Sequence, residues 1–95
     1  MRISEDQLNC LKGAITAVVP DAMIYLFGSR ADDSKRGGDI DIMVLSGNIL
    51  TWKEKAAIRW CYFDNYGEQR LDIVSFTFNE ESPFKEIVLS HGIRL

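Results

Sequence analysis

Gly38-Asp39-Ile40-Asp41-Ile42-Met43-Val44-Leu45 is the stretch on which the fold turns. The run from Asp39 to Leu45 is short and apolar apart from its two acids, and Ser46-Gly47-Asn48 closes it, so it reads as a strand. Strand residues two apart share a face, so Asp39 and Asp41 present carboxylates side by side while Ile40 and Ile42 point into a core. Two carboxylates within a few ångströms repel and raise one pKa unless a cation lies between them. Magnesium suits such a pair, because it prefers oxygen ligands and commonly takes one or two carboxylates plus substrate phosphates.

Working outward, Ala22-Met23-Ile24-Tyr25-Leu26-Phe27 is a second short apolar run, ended by Gly28, and reads as a buried strand. Between the two strands Ser29 to Gly38 is polar, closed by Gly37-Gly38, with a first turn compatible with helix. Upstream, Ser4 with Gln7 forms a capping-box pattern, and Leu8, Leu11, Ile15, Val18 and Val19 recur at helical spacing up to Pro20. Downstream, Thr51 with Glu54 repeats the signal. Trp52, Ala56, Arg59, Trp60 and Phe63 then suit a helix ending near Asn65-Tyr66-Gly67. Leu71-Asp72-Ile73-Val74-Ser75-Phe76 is a third strand. Ser82-Pro83 starts a last helix through Ile87, Val88 and Gly92, leaving Ile93-Arg94-Leu95 as a tail. The order predicts an α/β domain with a small sheet, helices covering at least one face. This pattern does not fix the strand order.

The 95 residues suffice for one domain, 1–95, with no room for a second of ordinary size. An apolar share of 46% and a charged share of 26% are those of a soluble globular chain. The net charge of -3 argues against residence on a nucleic-acid backbone, so no direct nucleic-acid partner is expected. No apolar run approaches the roughly 20 residues of a membrane span, and the expected location is cytoplasmic. Cys10 and Cys61 lie far apart in apolar-periodic segments and read as buried, reduced thiols, with a disulfide between them as the alternative. With His91 the single histidine, no spacing suggests zinc.

Asp72 repeats the environment of the acidic pair, a carboxylate inside an otherwise apolar strand. A bare charge buried there costs several kcal/mol, so it must be paired, metal-bound or at an open edge. If the strands adjoin, three carboxylates converge and can hold two metal ions, the arrangement that clamps an in-line phosphoryl displacement. Gly28-Ser29 ends the first strand, where a glycine admits a phosphate and turn amides donate to it. Arg30, Lys35 and Arg36 add positive charge on the same loop. Taken singly, each part has an ordinary explanation: a turn, a solvated edge, a salt-bridge partner, an exposed basic residue. Their order along the chain is what carries the chemistry. Of the aromatic residues Trp52, Trp60, Tyr62, Phe63 and Tyr66, most are expected in the core, with one or two facing a partner. His91 suits a helix C-terminus, and Glu80 and Glu81 suit the start of the last helix as charge complements.

In these residues the chain resembles the polymerase-beta-type nucleotidyltransferase superfamily, whose fingerprint is hG-[GS], then D-x-D, then a third carboxylate on a later strand. Here that reads Leu26-Phe27-Gly28-Ser29-Arg30-Ala31, Gly38-Asp39-Ile40-Asp41-Ile42 and Leu71-Asp72-Ile73-Val74. The resemblance covers nearly the whole chain and is strongest to the MntA-like minimal nucleotidyltransferases (MNT), which lack the extra helical domain of larger relatives. Gly28-Ser29-Arg30-Ala31 and the closing Phe84-Lys85-Glu86-Ile87-Val88 through Gly92-Ile93-Arg94-Leu95 both look like that group. Arg30 to Gly38 spans nine residues, shorter than the family commonly has, and the carboxylates are intact.

The resemblance implies a nucleotidyltransferase fold with a small mixed sheet covered by helices. It further implies a Mg²⁺-dependent antitoxin that transfers AMP from ATP to a tyrosine of a HEPN-type ribonuclease toxin, with two metal ions. By carry-over, Asp39 and Asp41 hold the metals. Asp72 completes the site and accepts the proton of the incoming hydroxyl. Gly28 and Ser29, with Arg30 beside them, hold the triphosphate. The alternative from another class is a non-catalytic antitoxin that neutralises its partner by binding alone. A small-molecule nucleotidyltransferase fits less well, because such relatives are longer and carry an acceptor-binding domain.

Overall fold

The computed structural model describes residues 3–28 and 38–95. Ser29, Arg30, Lys35 and Arg36, with the expected helical turn after Gly28, lie outside the described residues.

Both capping boxes form. Ser4 Oγ accepts from Gln7 N at 3.1 Å while Ser4 N donates to Gln7 Oε1 at 3.0 Å, opening α1 (Glu5–Val18). Thr51 and Glu54 do the same for α2 (Trp52–Tyr66), at 3.1 and 2.8 Å. Ser82 caps α3 (Pro83–His91), accepting from Lys85 N at 3.3 Å, with Pro83 at the first helical position.

The strands are β1 (Met23–Phe27), β2 (Ile40–Ser46) and β3 (Leu71–Thr77), joined by a short β4 (Ile93–Arg94) where a tail was expected. They form one mixed sheet in the order β3-β2-β1-β4. β1 runs antiparallel to β2 and β4, whereas β2 and β3 are parallel, with α2 as the crossover between them. β4 escapes a pattern reading because two residues show no alternation. Its place is set by β1, where Tyr25 pairs with Arg94 and Leu26 with Ile93. Gly92 permits the abrupt passage from α3 to β4: a Cβ there would lie 2.6 Å from the Val88 carbonyl oxygen and 3.1 Å from that of Leu26.

Helices cover both faces. Under α1 and α2, Ile24, Leu26, Ile40, Ile42, Val44, Leu71 and Ile73 pack against Leu11, Ala14, Ile15, Ile58 and Tyr62. On the other face Tyr25, Met43 and Leu45 pack with Val88 of α3. Buried Lys85 fastens the start of α3, its Nζ donating to the carbonyls of Thr77, Phe78 and Glu80 at 3.1, 2.7 and 2.9 Å. Glu80, expected as a helix complement, instead closes the preceding turn by accepting from Thr77 N at 3.3 Å.

Two packing expectations fail. The buried stripe of α2 is Ile58 and Tyr62, one turn apart, which turns Trp52 and Trp60 outward at 75% and 67% exposure. Tyr66 is also exposed, so core packing holds only for Tyr62 and, in part, Phe63. Both cysteines are free thiols, yet Cys61 is exposed and Cys10 only half-buried. They flank the α1–α2 contact, where Asn65 Nδ2 donates to Cys10 Sγ at 3.7 Å and to the Cys61 carbonyl at 2.9 Å.

Candidate functional site

The alternation of β2 puts Ile40 and Ile42 fully in the core and turns Asp41 to the face that carries α3. Asp39 lies one residue ahead of the strand, on the same side by the same alternation. The register then decides what Asp41 meets. On the parallel side it pairs with Asp72, and on the antiparallel side with Phe27, the residue before Gly28. Gly28, Asp41 and Asp72 therefore form a row across three adjacent strands. The row sits where β1 ends and β2 and β3 begin.

Gly28 has φ 73°, a conformation side chains rarely adopt. A Cβ on it would also collide with the Asp41 carboxylate, with Cγ at 3.1 Å. Only glycine brings this turn's backbone against that acid. Phe27, the partner of Asp41, belongs to an aromatic cluster on the face that carries α3. Phe84 of α3 meets Phe27 edge-on at 5.4 Å between ring centroids and stacks on Phe76 at 6.1 Å.

The charge of the row is poorly compensated. Arg70 Nε lies 3.7 Å from Asp39 Oδ2 and 3.7 Å from Asp72 Oδ2, an ion-pair distance beyond ordinary hydrogen-bond reach. Burial pushes the Asp41 carboxyl up from its ordinary range. The Asp72 and Asp39 carboxylates and a hydrogen bond with Asp72 add to the rise, and Arg70 offsets part of it. Sequence reasoning missed Arg70. Its signal was a basic residue two positions before the strand carboxylate, which has meaning only once β2 and β3 are known to adjoin.

The donors are all carboxylate oxygens in excess of their counter-charge, which suits a hard divalent cation. Among the described residues no group of three or more His, Cys, Asp or Glu forms a ready-made metal cage. The expected convergence is thus a row of interacting acids. That fits a cation which draws its remaining ligands from water and phosphate. A separate cavity of about 170 Å³, lined by Val19, Asp21, Gly47 and Asn48 among others, lies at the opposite end of β1 and β2, away from the acids. Among the described residues, no helix is long and apolar enough to cross a membrane.

Comparison with known proteins places this geometry. The model of the family described as "Polymerase beta, Nucleotidyltransferase" matches residues 20–95. A probable protein adenylyltransferase MntA of Haemophilus influenzae is 24% identical over 87 residues, spanning 90% of this chain and 75% of that protein. A chain from a solved complex of tri-AMPylated Shewanella oneidensis HEPN toxin with MNT antitoxin superposes with a TM-score of 0.69. Its identity is 20%, over 97% of this chain and 71% of that one. A chain from a crystal structure of a mutant MntA–HpeT toxin–antitoxin pair gives 0.71 at 19% identity, with the same coverage. At these identities the structural likeness establishes the fold alone: this chain's four-stranded mixed sheet with three helices matches the nucleotidyltransferase-like fold of the solved MNT structures.

Proposed function

The chain belongs to the polymerase beta nucleotidyltransferase family, and on that premise we propose that it transfers AMP from ATP to a tyrosine hydroxyl of a HEPN-type toxin, acting as its antitoxin. The observation that carries this reading is the in-register row of Asp41 and Asp72 beside the Gly28 turn, with Asp39 on the same face. The adenylyltransferase relative and the AMPylated HEPN toxin seen beside an MNT antitoxin supply the donor and the acceptor.

The family implies a nucleotide substrate and, as a rule, a divalent metal. Asp39 and Asp41 would hold Mg²⁺, with Asp72 completing a site for two ions. When bound, the metal neutralises the phosphates and the charge that develops on the attacking and leaving oxygens. Gly28, and Ser29 and Arg30 after it, would receive the triphosphate at the β1 end of the row. Asp72 stands on β3, an edge strand, and is half-exposed, so an acceptor carried by another molecule can reach it. There the acceptor oxygen forms its bond to the α-phosphorus while the bond to the bridging oxygen of pyrophosphate breaks, and Asp72 takes the hydroxyl proton. The whole of 1–95 acts in this reading as one minimal nucleotidyltransferase domain in the cytoplasm.

The test is incubation of the purified chain with a HEPN toxin, ATP and Mg²⁺, read by intact mass. AMP added to the toxin by the wild type and not by Asp39→Asn/Asp41→Asn supports the enzyme. Neutralisation retained by that double variant, with no AMP on the toxin, identifies instead an antitoxin that works by binding alone.

A further inference from the structure

The carboxylate row has one partner of opposite sign among the described residues, and its placement is unusual. Arg70 lies two residues ahead of Asp72 at the entry to β3, and its carbonyl accepts from Ile40 N at 3.0 Å. That bond fixes the Arg70 backbone beside the root of Asp39. The side chain is 73% exposed, and its Nε is equidistant, at 3.7 Å, from one oxygen of Asp39 and one of Asp72. Both contacts exceed the roughly 2.7–2.9 Å of a charge-assisted hydrogen bond, so the guanidinium is held by charge and not by a bidentate lock. An anchored backbone with a solvated, loosely held cationic head is a device that can step aside. Arginine suits it, because its planar, weakly hydrated guanidinium pairs with carboxylate and phosphate oxygens alike.

We propose that Arg70 is a built-in counter-cation of the carboxylate row, which competes with a divalent ion for Asp39 and Asp72, so that metal enters efficiently only together with nucleotide phosphates. The inference rests on the nucleotidyltransferase reading of this site. A free divalent ion has to displace the guanidinium and leaves it without an anion. A metal–nucleotide complex brings phosphate oxygens, to which a released guanidinium can turn. Binding of metal is thereby coupled to binding of substrate, and the row keeps a partial counter-charge when neither is present.

The experiment is titration of free Mn²⁺ without nucleotide, followed by the loss of its paramagnetic-resonance signal, and then equilibrium dialysis of Mn²⁺ with ATP, which counts the metal held on the protein side. It compares wild type, Arg70→Ala, Arg70→Gln and Arg70→Lys, with circular dichroism confirming the fold of each. Exposed ion pairs are weak, so removing both should tighten free Mn²⁺ binding about three- to tenfold in the two neutral variants. Arg70→Lys should stay near wild type, and ATP should shrink the difference. Neutral variants that bind free Mn²⁺ no tighter than wild type, or more weakly, overturn the role of Arg70. Wild type that binds no Mn²⁺ even with ATP overturns the nucleotidyltransferase reading itself, and this inference with it.

Discussion

The two faces of β2 are made from alternate residues of one heptapeptide, and they have opposite chemistry. Ile40, Ile42 and Val44 are sealed under α1 and α2 with no exposure at all. On the reverse, Met43 and Leu45 are covered by α3, whereas Asp41 is only part-buried and its neighbours Asp39 and Asp72 are half-exposed. The difference is one of cover. α3 has nine residues and covers Tyr25, Met43 and Leu45 through Val88, whereas the side chains of Asp39 and Asp72 stay 47% and 49% exposed. One face stabilises the fold and the other keeps a charge excess available for a cation.

Four substitutions sharpen that contrast, taken from the largest effect to the smallest. Asp72→Asn should slow AMP transfer about 10²–10⁴-fold, the range lost with a general base, while Mg²⁺–ATP binding persists because Asp39 and Asp41 remain. Single-turnover transfer beside a nucleotide titration separates the two. Ile42→Ala, on the sealed face, should lower unfolding free energy by about 2–5 kcal/mol in urea titration. A loss below about 1 kcal/mol would mean that this face is not the core.

Gly28→Ala should cost about 1–3 kcal/mol of stability through its positive φ, and should displace the Asp41 carboxylate, weakening nucleotide binding as well. An unchanged melting temperature would contradict the close approach seen here. Asp41→Asn, one residue from Ile42, should have the reverse sign and the smallest size. The Asp41 carboxyl is held above its ordinary value of 3.8, so the folded chain binds more protons than the unfolded one between that value and the raised one. Stability without metal therefore falls as pH rises through that window, and the whole penalty is present at neutral pH. Discounted for solvent screening, its removal should raise stability by less than about 1 kcal/mol, a melting shift of a few degrees. The same raised value predicts that metal–nucleotide affinity declines on acidification at a higher pH than an ordinary aspartate would give, which calorimetry at stepped pH detects.

Much of this was legible in the residues themselves. Capping boxes at Ser4–Gln7 and Thr51–Glu54 and the Ser82-Pro83 start located the three helices, because a cap is a local hydrogen bond that four residues specify. The alternation of 39 to 45 placed the acids opposite the core for an equally local reason. What stayed hidden was relational. The pairing of Asp41 with Asp72 and Phe27, the two-residue β4, and Arg70 between two acids all depend on which strands adjoin, and no short-range pattern encodes that. The outward turn of Trp52 and Trp60 was missed because α2 has no clean apolar stripe. Arg59 spends its Nε on the Leu71 carbonyl at 3.0 Å, an anchor that hydrophobic spacing does not report.

The central claim is that the row of Asp39, Asp41 and Asp72 is a metal–nucleotide site, and calorimetric titration of the folded chain with ATP, with and without Mg²⁺, meets it directly. Binding should require Mg²⁺ and disappear in Asp39→Asn/Asp41→Asn. Wild type that fails to bind Mg²⁺–ATP, or a double variant that binds it equally well, would contradict it.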